Sequence, residues 1–428
     1  MLPHAPAWRA VGFRSAAAAG IALGILALAL GRPDVALLAA PALLAALFSR
    51  TKPPAAPQSI AEVPVTPEAA GGIESTLTIT GGESAHLRAS AAGHRPAEFV
   101  VRVPAAGERR IGLRLASVRT GPQLTAAADV LGYEGVWQHE LRSAGGSRRL
   151  VLPSSMRLGH VPVPRRLRGL TGLRPSRRFG DGSEFRDVHP FAPGDRLKRI
   201  DWRTTARRSP NLDTLYVRRA FADAEAVVML VVDSRDDVGP DVRTWRGFSE
   251  QRVDEATSLD LARHAAASVA RALIEAGDRV GLVDLGLAAR PLPPAAGRRH
   301  LRRVMHGLAL ARPVGPLRAS VRPPQVPADA LVYLFSTVLD QAAVQLARTW
   351  RSLGHPVVLV DTLPQVRSVT EPHLAIAWRI TRMERQQRLD ELAREGVPIV
   401  RWAGSARRNA ATSLESIARA AARQRDWR

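Results

Sequence analysis

The apolar positions along the chain change their pattern several times, and each pattern predicts a different kind of element. Two uncharged apolar runs, 15–31 and 35–48, stand near the amino terminus with a short Arg-Pro-Asp break between them. Both runs are apolar on every helical face, which favours lipid over a soluble helix pair. We therefore predict a transmembrane helical hairpin within residues 1–52, although each run is shorter than the about 20 residues that a spanning helix needs.

The charges that flank this hairpin predict its orientation. Arg9 and Arg14 precede the first run, and Arg50 and Lys52 follow the second. By the positive-inside rule both ends lie in the cytoplasm. The expected location is the cytoplasmic (inner) membrane, as a multi-pass protein with both termini and the soluble domains on the cytoplasmic side. A cleaved signal peptide is the alternative for the first run, and the second run that follows at once argues against it.

Proline and then strict alternation mark the next two segments. Residues 53–71 contain PPAAP and PVTPE, and a proline-rich composition predicts a linker. From 72 to 164, runs such as STLTIT and RRIGLRLA alternate apolar and polar residues between closely spaced Gly and Pro. This pattern is typical of a small all-β, sandwich-like domain with one face of each strand in a core.

Strand and helix patterns alternate over residues 225–428. Apolar strand runs occupy 226–232, 280–285, 330–335, 356–360 and 397–402. The clearest helix covers 258–276, and a terminal helix runs from Ala410 to about Arg425. The fold class is therefore α/β, with a doubly wound parallel sheet covered on both faces. Ligands of such sheets bind beyond the carboxyl ends of the strands, which directs attention to Asp233, Ser336 and Asp361.

The segment 165–224 joins the two domains and carries the most specific motif. Its stretch 180–207 reads GDGSEFRDVHPFAPGDRLKRIDWRTTAR, with two glycine turns, dense charge and one tryptophan. The glycines permit turns, and Asp195 after Pro-Gly is placed to cap a short helix. We call this segment the signature. Its candidate partner-binding residues are Gly182, Glu184, Phe185, Arg186, Gly194, Asp195, Arg199, Asp201, Trp202 and Arg207.

Two interpretations of the signature stay open. If the stretch is helical, Asp195, Arg199 and Arg203 form a charge ladder with a spacing of four, while Ile200 and Trp202 anchor the segment in the core. The charges would then make a semi-buried ion network that packs the signature onto the α/β domain. Alternatively, the same surface contacts a partner, because Trp and Arg are the residues most common at binding hot spots.

The order of these residues resembles the bacterial DUF58 family. Its signature has a Gly-rich turn, Glu-Phe-Arg, an aromatic residue, Pro-Gly-Asp, Arg-x-Ile-Asp-Trp and Ala-Arg, and a von Willebrand factor A-like domain follows. The resemblance covers roughly Leu170 to Trp402. It implies a von Willebrand factor A-like fold for the α/β domain.

The resemblance also implies a function. Members of this family are commonly encoded beside a MoxR-type AAA+ ATPase. We therefore expect a non-enzymatic, membrane-anchored adaptor or scaffold that links such an ATPase to an unidentified client protein in envelope or complex assembly. The chain has no phosphate-binding loop of its own, so no cofactor is expected.

Charge and residue usage change this picture only a little. The formal charge is +22, and all but two of the 61 basic residues are arginines scattered over the whole chain. Such charge suits anionic membrane lipid beside the hairpin, whereas the scatter argues against a dedicated nucleic-acid site. An arginine-rich anion or nucleic-acid binder remains an alternative. With no cysteine, disulfides and thiolate metal sites are excluded.

A metal-dependent, protein-binding A domain is the other alternative. In that class the first strand ends in Asp-x-Ser-x-Ser, whose oxygens bind Mg²⁺. Here Asp233 is followed by Arg235 and Asp237 in place of the serines. A guanidinium at the metal position would repel a cation. We expect Asp233 to be a degenerate position that holds no metal and pairs with Arg235 or accepts backbone hydrogen bonds.

Overall fold

The structure is a computed structural model that divides into two compact units. The first unit is Met1–Ser117 with Pro122–Arg149, and the second is Val118–Gly121 with Leu150–Arg428. The residues that the structure describes are 8–10, 13–48, 58–65, 72–91, 95–104, 107–116, 119–134, 137–167, 172, 174–245, 251–252, 254–286, 291–313, 322–404 and 406–426.

Short strands build the β part of the first unit. In chain order they are β1 (Trp8–Ala10), β2 (Ser59–Val65), β3 (Gly72–Thr80), β4 (Ser84–Ser90), β5 (Ala97–Arg102), β6 (Glu108–Ala116), β7 (Gly121–Leu124), β8 (Ala127–Glu134), β9 (Trp137–His139), β10 (Arg142–Ala144) and β11 (Arg148–Val151). One antiparallel sheet has the order β1-β9-β8-β4-β5, with β10 on β8, and another has the order β2-β3-β6. Strands β7 and β11 pair with each other.

The alternation of apolar residues explains these sheets. In β3 every second residue is buried, including Leu77 and Ile79. These side chains share a core with Leu87 of β4 and Val130 of β8, so both larger sheets contribute to it. Strand β2 lies in the stretch predicted to be linker, and that prediction is wrong there. Pro64 fits because β2 is an edge strand, where a missing N–H costs no ladder bond.

Two helices lie between β1 and β2 in the chain, α1 (Phe13–Leu30) and α2 (Pro33–Phe48). They pack closely, since a Cβ on Gly20 would lie 2.8 Å from the side chain of Leu43. Within the described residues, no helix is both long enough and apolar enough to cross a membrane. With 18 and 16 residues they fall short of the about 20 that the hydrocarbon core requires. The predicted transmembrane hairpin and the multi-pass inner-membrane location are therefore wrong.

The second unit contains the α/β sheet and a ribbon. Its remaining elements are β12 (Arg174–Pro190), α3 (Trp202–Arg208), β13 (Tyr216–Ala224), β14 (Val227–Val232), α4 (Ser258–Glu275), β15 (Arg279–Asp284), β16 (Leu292–Ala295), α5 (Arg298–Leu310), β17 (Leu331–Ser336), α6 (Gln341–Ser352), β18 (Val357–Asp361), α7 (Pro372–Arg394), β19 (Ile399–Arg401) and α8 (Ala406–Asp426). Single 3-10 turns cover Leu197–Arg199 and Val242–Thr244.

The main sheet has the order β16-β15-β14-β17-β18-β19. All neighbours are parallel except the edge strand β16, which is antiparallel to β15. Alternate residues of β14 point to opposite faces, so Leu230 packs with α4, α5 and α8, and Val231 packs with α6 and α7. This two-sided burial explains why the strands are continuous apolar runs. The order reverses between β14 and β17, where an open α/β sheet places its ligand crevice.

Candidate functional site

The carboxyl edge of the main sheet is the first candidate site, and an arginine fills it. Asp233 directly follows β14, and its carboxylate accepts two hydrogen bonds from the Arg235 guanidinium, at 2.7 and 2.8 Å. Ser336 at the end of β17 donates its hydroxyl to Asp233 at 2.8 Å. Arg235 also donates to both carboxylate oxygens of Asp340, at 2.8 and 3.2 Å. One buried guanidinium therefore joins the two strands on either side of the crevice to the start of α6.

The electrostatics of this cluster keep Arg235 charged. Burial by itself opposes the charged form, but the hydrogen bonds and charges of Asp233 and Asp340 outweigh it and raise the pKa of Arg235 above its ordinary value. The positive charge occupies the space between the carboxylates that a divalent cation would need. The pairing of Asp233 with Arg235 that the sequence suggested is present in the structure.

A further carboxylate, Asp236, lies beside this pair and titrates abnormally. Burial, aided by the charge of Asp233, raises the pKa of Asp236 to about 7. One of its oxygens accepts from the Thr337 hydroxyl at 2.8 Å, and the other is buried without a hydrogen-bond partner in the described part of the chain. Near neutral pH, both the protonated and the ionised form of Asp236 are therefore populated.

A second arginine covers the next strand end. Arg385 of α7 binds the carboxylate of Asp361 at the end of β18 and donates Nε–H to the carbonyl oxygen of Thr337 at 2.6 Å. The three positions that the sequence indicated, Asp233, Ser336 and Asp361, therefore lie at one edge as expected. Each is engaged by the protein itself.

The first part of the signature folds as the end of a β ribbon. Strands β12 and β13 pair antiparallel, and Ala220 is the partner of both Gly180 and Phe185. The residues between those two positions bulge from the ladder. Gly182 lies in the bulge, where a Cβ would come within 2.3 Å of the carbonyl oxygen of Phe221. Only glycine fits this close approach.

The Pro-Gly-Asp turn is held by Asp195. Gly194 has φ of 100°, which favours glycine, and Asp195 accepts a hydrogen bond from the backbone N–H of Ala192 at 2.9 Å. Asp195 also lies 3.3 Å from Arg219 and 3.4 Å from His189. The bond from Ala192 and the charge of Arg219 lower the pKa of Asp195. Asp195 therefore ties the turn to both strands of the ribbon and does not form the predicted ladder with Arg199.

Asp201, and not Asp195, caps a helix. Its carboxylate accepts from the backbone N–H of Thr204 at 3.0 Å at the start of α3, which lowers the pKa of Asp201. Its own N–H donates to the carbonyl oxygen of Tyr216, and the buried Thr205 hydroxyl accepts from the N–H of Tyr216 at 2.9 Å. These bonds fasten α3 to the first residue of β13.

The side chains at this ribbon end are unusual because the large apolar ones point outward. Trp202 is 62% exposed and Phe185 is 50% exposed, with the Arg218 guanidinium 5.1 Å from the Phe185 ring centre. The prediction that Trp202 anchors the segment in the core is wrong, since α3 buries Thr205 instead. The exposed large apolar residues of the signature are Phe185, Phe191, Leu197, Trp202 and Leu212. We call these five the signature face.

Comparison with known proteins identifies this part of the chain. Residues 187–366 match the family model described as "Protein of unknown function DUF58". This stretch is similar to the DUF58 family. It contains the turn held by Asp195, helix α3 and the carboxyl-edge cluster of Arg235. The Gly-rich bulge with Phe185 lies just before it, and α7 lies just after it.

Two mycobacterial proteins are also similar to this chain. "Uncharacterized protein Mb1516" of Mycobacterium bovis and "Uncharacterized protein Rv1480" of Mycobacterium tuberculosis are each 31% identical over 234 residues. The matched stretch is 53% of this chain and 62% of each relative, so the chain spans less than two thirds of their length.

The structure separates the candidate residues of the DUF58 signature into two groups. Gly182, Gly194, Asp195 and Asp201 shape the bulge, the turn and the cap. Phe185, Trp202, Glu184 and Arg207 are exposed, while Arg186 and Arg199 are half-buried. Among the described residues, Arg186 contacts Asp187 at 3.6 Å, and Asp195 contacts both Arg219 and His189.

Sequence reasoning missed several residues of the carboxyl edge. Asp340 could have been found, because an aspartate just before a helical run is a typical N-cap, and its carboxylate does accept from Ala343. Asp236 stands next to the recognised Asp233 and Arg235. Arg385 gave no local signal, since it is 24 residues from Asp361 along the chain.

Proposed function

We propose that this protein is a non-enzymatic binding adaptor whose signature face contacts a partner protein. A single observation carries the proposal: the tryptophan of the DUF58 signature is 62% exposed. Burying a tryptophan typically contributes more to binding than burying other side chains. Folding of the domain does not bury this one, which leaves it for an interface.

The hydrogen bonds beneath the face support a binding role over a brace. Asp195, Asp201 and Thr205 hold the ribbon end together through backbone groups, so its shape does not depend on the exposed side chains. A rigid support that presents apolar side chains loses little conformational entropy on binding. A brace would require Trp202 and the signature arginines to pack on the sheet instead.

The partner that the DUF58 resemblance suggests is a MoxR-type AAA+ ATPase. The exposed cations Lys198 and Arg203 directly follow Leu197 and Trp202 in sequence, and Arg207 is exposed on the same helix α3, so the matching surface on the partner should carry carboxylates. The chain would act as the link between this ATPase and a client protein. The strand order, with its antiparallel edge strand β16, supports a von Willebrand factor A-like assignment for the second unit.

The metal-dependent alternative is weaker for this chain. The Arg235 guanidinium lies between Asp233 and Asp340, where a cation would have to bind. No group of three or more metal-ligating His, Asp or Glu side chains occurs among the residues described. Scattered arginines rather than a single basic surface likewise give the nucleic-acid alternative no specific site.

The test measures binding between the purified full chain and the purified MoxR-type ATPase of the same genome, with and without ATP. Trp202→Ala should weaken binding by at least about tenfold, the typical cost of a hot-spot truncation. Leu353→Ala is the matched control, because Leu353 is a similarly exposed apolar residue (66%) at the end of α6.

The outcomes separate three situations. Loss of binding with Trp202→Ala alone supports the signature face as the docking surface. Equal binding by both variants would move the contact elsewhere on the chain. Absence of any complex with the wild-type chain, with or without ATP, would remove the ATPase as the partner.

A further inference from the structure

Helix α7 contains a second surface that the proposed docking does not use. It runs back between β18 and β19, which are parallel neighbours, so its direction opposes that of the strands. Arg385 of α7 meets Asp361 at the end of β18. The residues of α7 that precede Arg385 therefore extend beyond the carboxyl edge of the sheet, for about 20 Å at 1.5 Å per residue.

This overhanging half of α7 has a well-defined inner face. Trp378 packs edge to face with Trp245, with ring centres 5.2 Å apart. At the N-cap of α7, Glu371 lies 3.6 Å from Arg243 of the neighbouring 3-10 turn. Trp378 and Arg385 are seven residues apart and lie on the same side of the helix. The rotation of this half of the helix is thus fixed.

The opposite side of the same half presents an apolar stripe. Ile376, Ile380 and Met383 are 54%, 52% and 66% exposed. Their spacing of four and then three residues places them on one ridge, turned away from Trp378 by about half a rotation at 3.6 residues per turn. An ordinary surface helix has its apolar residues on the core side only. We call these three residues the α7 stripe.

Charge on the flanks indicates what covers the stripe. Arg379 and Arg382 are exposed along one side, and neither forms an ion pair with any residue that the structure describes. On the other side the acid Glu384 is neutralised by Arg388 at 3.3 Å. The stripe therefore carries uncompensated positive charge. A second copy of this chain, with a formal charge of +22, would be repelled.

We propose that the α7 stripe is a second docking site and that it takes an acidic amphipathic helix of another protein. The ridge spacing of the stripe suits packing against another helix, and carboxylates beside the partner's apolar ridge would pair with Arg379 and Arg382. The site is separate in sequence from the signature face and does not depend on the proposed ATPase contact. It gives the chain the second surface that a linking protein requires.

The experiment uses the full chain and a synthetic amphipathic peptide with leucines on one helical face and glutamates on the other. Binding is followed by fluorescence anisotropy at low and physiological salt, and crosslinks are mapped by mass spectrometry. Ile376→Ser with Ile380→Ser should weaken binding at least tenfold. Arg379→Glu with Arg382→Glu should weaken it similarly and remove most of its salt dependence.

Matched controls make the result specific. Arg299→Glu with Arg303→Glu gives the same change of charge on α5, where both arginines are exposed, and should leave binding within about twofold of the wild type, as expected for screened, distant charges. Trp202→Ala should also leave it unchanged. Every variant alters exposed side chains, so unchanged circular dichroism and melting curves are expected.

Three outcomes would overturn the proposal. Equal weakening by the α5 and α7 charge variants would show nonspecific attraction to a basic chain. Equal binding of a leucine-lysine peptide of the same pattern would remove the acidic partner. Binding of anionic vesicles or duplex DNA that is lost in the α7 variants, without peptide binding, would assign the stripe to lipid or nucleic acid.

Discussion

The carboxyl edge of the main sheet and the end of the ribbon in the signature differ in which side chains they bury and which they expose. At the carboxyl edge, charges are buried and paired: Asp233, Arg235, Asp340, Asp361 and Arg385 all find partners within the second unit. At the ribbon end, backbone bonds to Asp195 and Asp201 hold the shape, while Trp202 and Phe185 face outward.

This difference indicates which surfaces of the second unit are available to bind a partner. The crevice that an α/β sheet normally offers to a ligand is closed by the protein's own guanidinium groups. The apolar side chains that would suit an interface lie on the ribbon end and on α7. Mutations at the edge should therefore change stability, whereas mutations on the two faces should change binding with little effect on folding.

The largest effect is expected for Arg235→Leu. Removing this arginine leaves Asp233 buried without its counter-charge, and breaking a buried pair in this way costs about 3–5 kcal/mol. The free energy of unfolding from urea titration measures the loss. Adding Asp233→Asn to Arg235→Leu should recover part of it, because the stranded charge is removed. A loss below about 1 kcal/mol for Arg235→Leu would mean that the edge is not held by this pair.

A smaller and pH-dependent effect is expected for Asp236→Asn. The pKa of Asp236 is raised to about 7, whereas an unfolded aspartate titrates near 3.9. Between these values the folded state holds more protons than the unfolded state, so stability falls as pH rises from about 4 to about 7 and then levels off.

The asparagine variant lacks this titration. Its free energy of unfolding relative to the wild type should therefore rise from pH 5 to pH 8, by about 1–3 kcal/mol. Urea titrations of both proteins at the two pH values give the comparison. Thr337→Val is a second variant for the same measurement, since it removes the hydroxyl that donates to Asp236 but leaves the carboxyl group of Asp236 in place. A difference that does not change with pH would place the pKa of Asp236 near its ordinary value.

The same contrast explains how far the sequence predicts this molecule. The five parallel strands of the main sheet and helix α4 were predicted within one or two residues, because continuous apolar runs and a regular apolar face are local signals. The antiparallel edge strand β16 was not predicted. Asp233 and Arg235 are two residues apart, so their pairing was within reach. Asp340 could have been recognised as an N-cap, whereas Arg385 reaches the edge only through the fold and no local spacing indicates its position.

Two errors had a different cause. The amino-terminal hairpin was assigned to a membrane from apolarity alone, although its helices are too short to cross one. In the signature, charges four apart would form a ladder only in a helix, whereas the chain makes a 3-10 turn over Leu197–Arg199 with an extended residue on each side. Exposure of Trp202 could not be predicted, since the sequence does not tell which side of α3 the ribbon covers.

Within the ribbon end, Asp201→Ala should have a modest effect on stability. It removes the carboxylate that caps α3, and loss of an N-cap side chain typically destabilises a helix. Thermal unfolding measured by circular dichroism should show a correspondingly lower melting temperature. Asp201→Asn keeps a capping oxygen and should restore most of the loss. If both substitutions were equally harmful, the charge of Asp201 and not its cap would be the stabilising feature.

The smallest effect on stability should come from Trp202→Ala. A side chain that is 62% exposed loses little burial on truncation, so the free energy of unfolding should change by no more than about 0.5 kcal/mol. Thr205 of the same helix provides the contrast, since it is fully buried and its hydroxyl accepts a hydrogen bond from Tyr216. Thr205→Val should therefore lower the free energy of unfolding by more than Trp202→Ala does. Should Trp202→Ala instead destabilise the chain as much as Thr205→Val, the tryptophan would belong to the support of the ribbon, and the signature would be a brace.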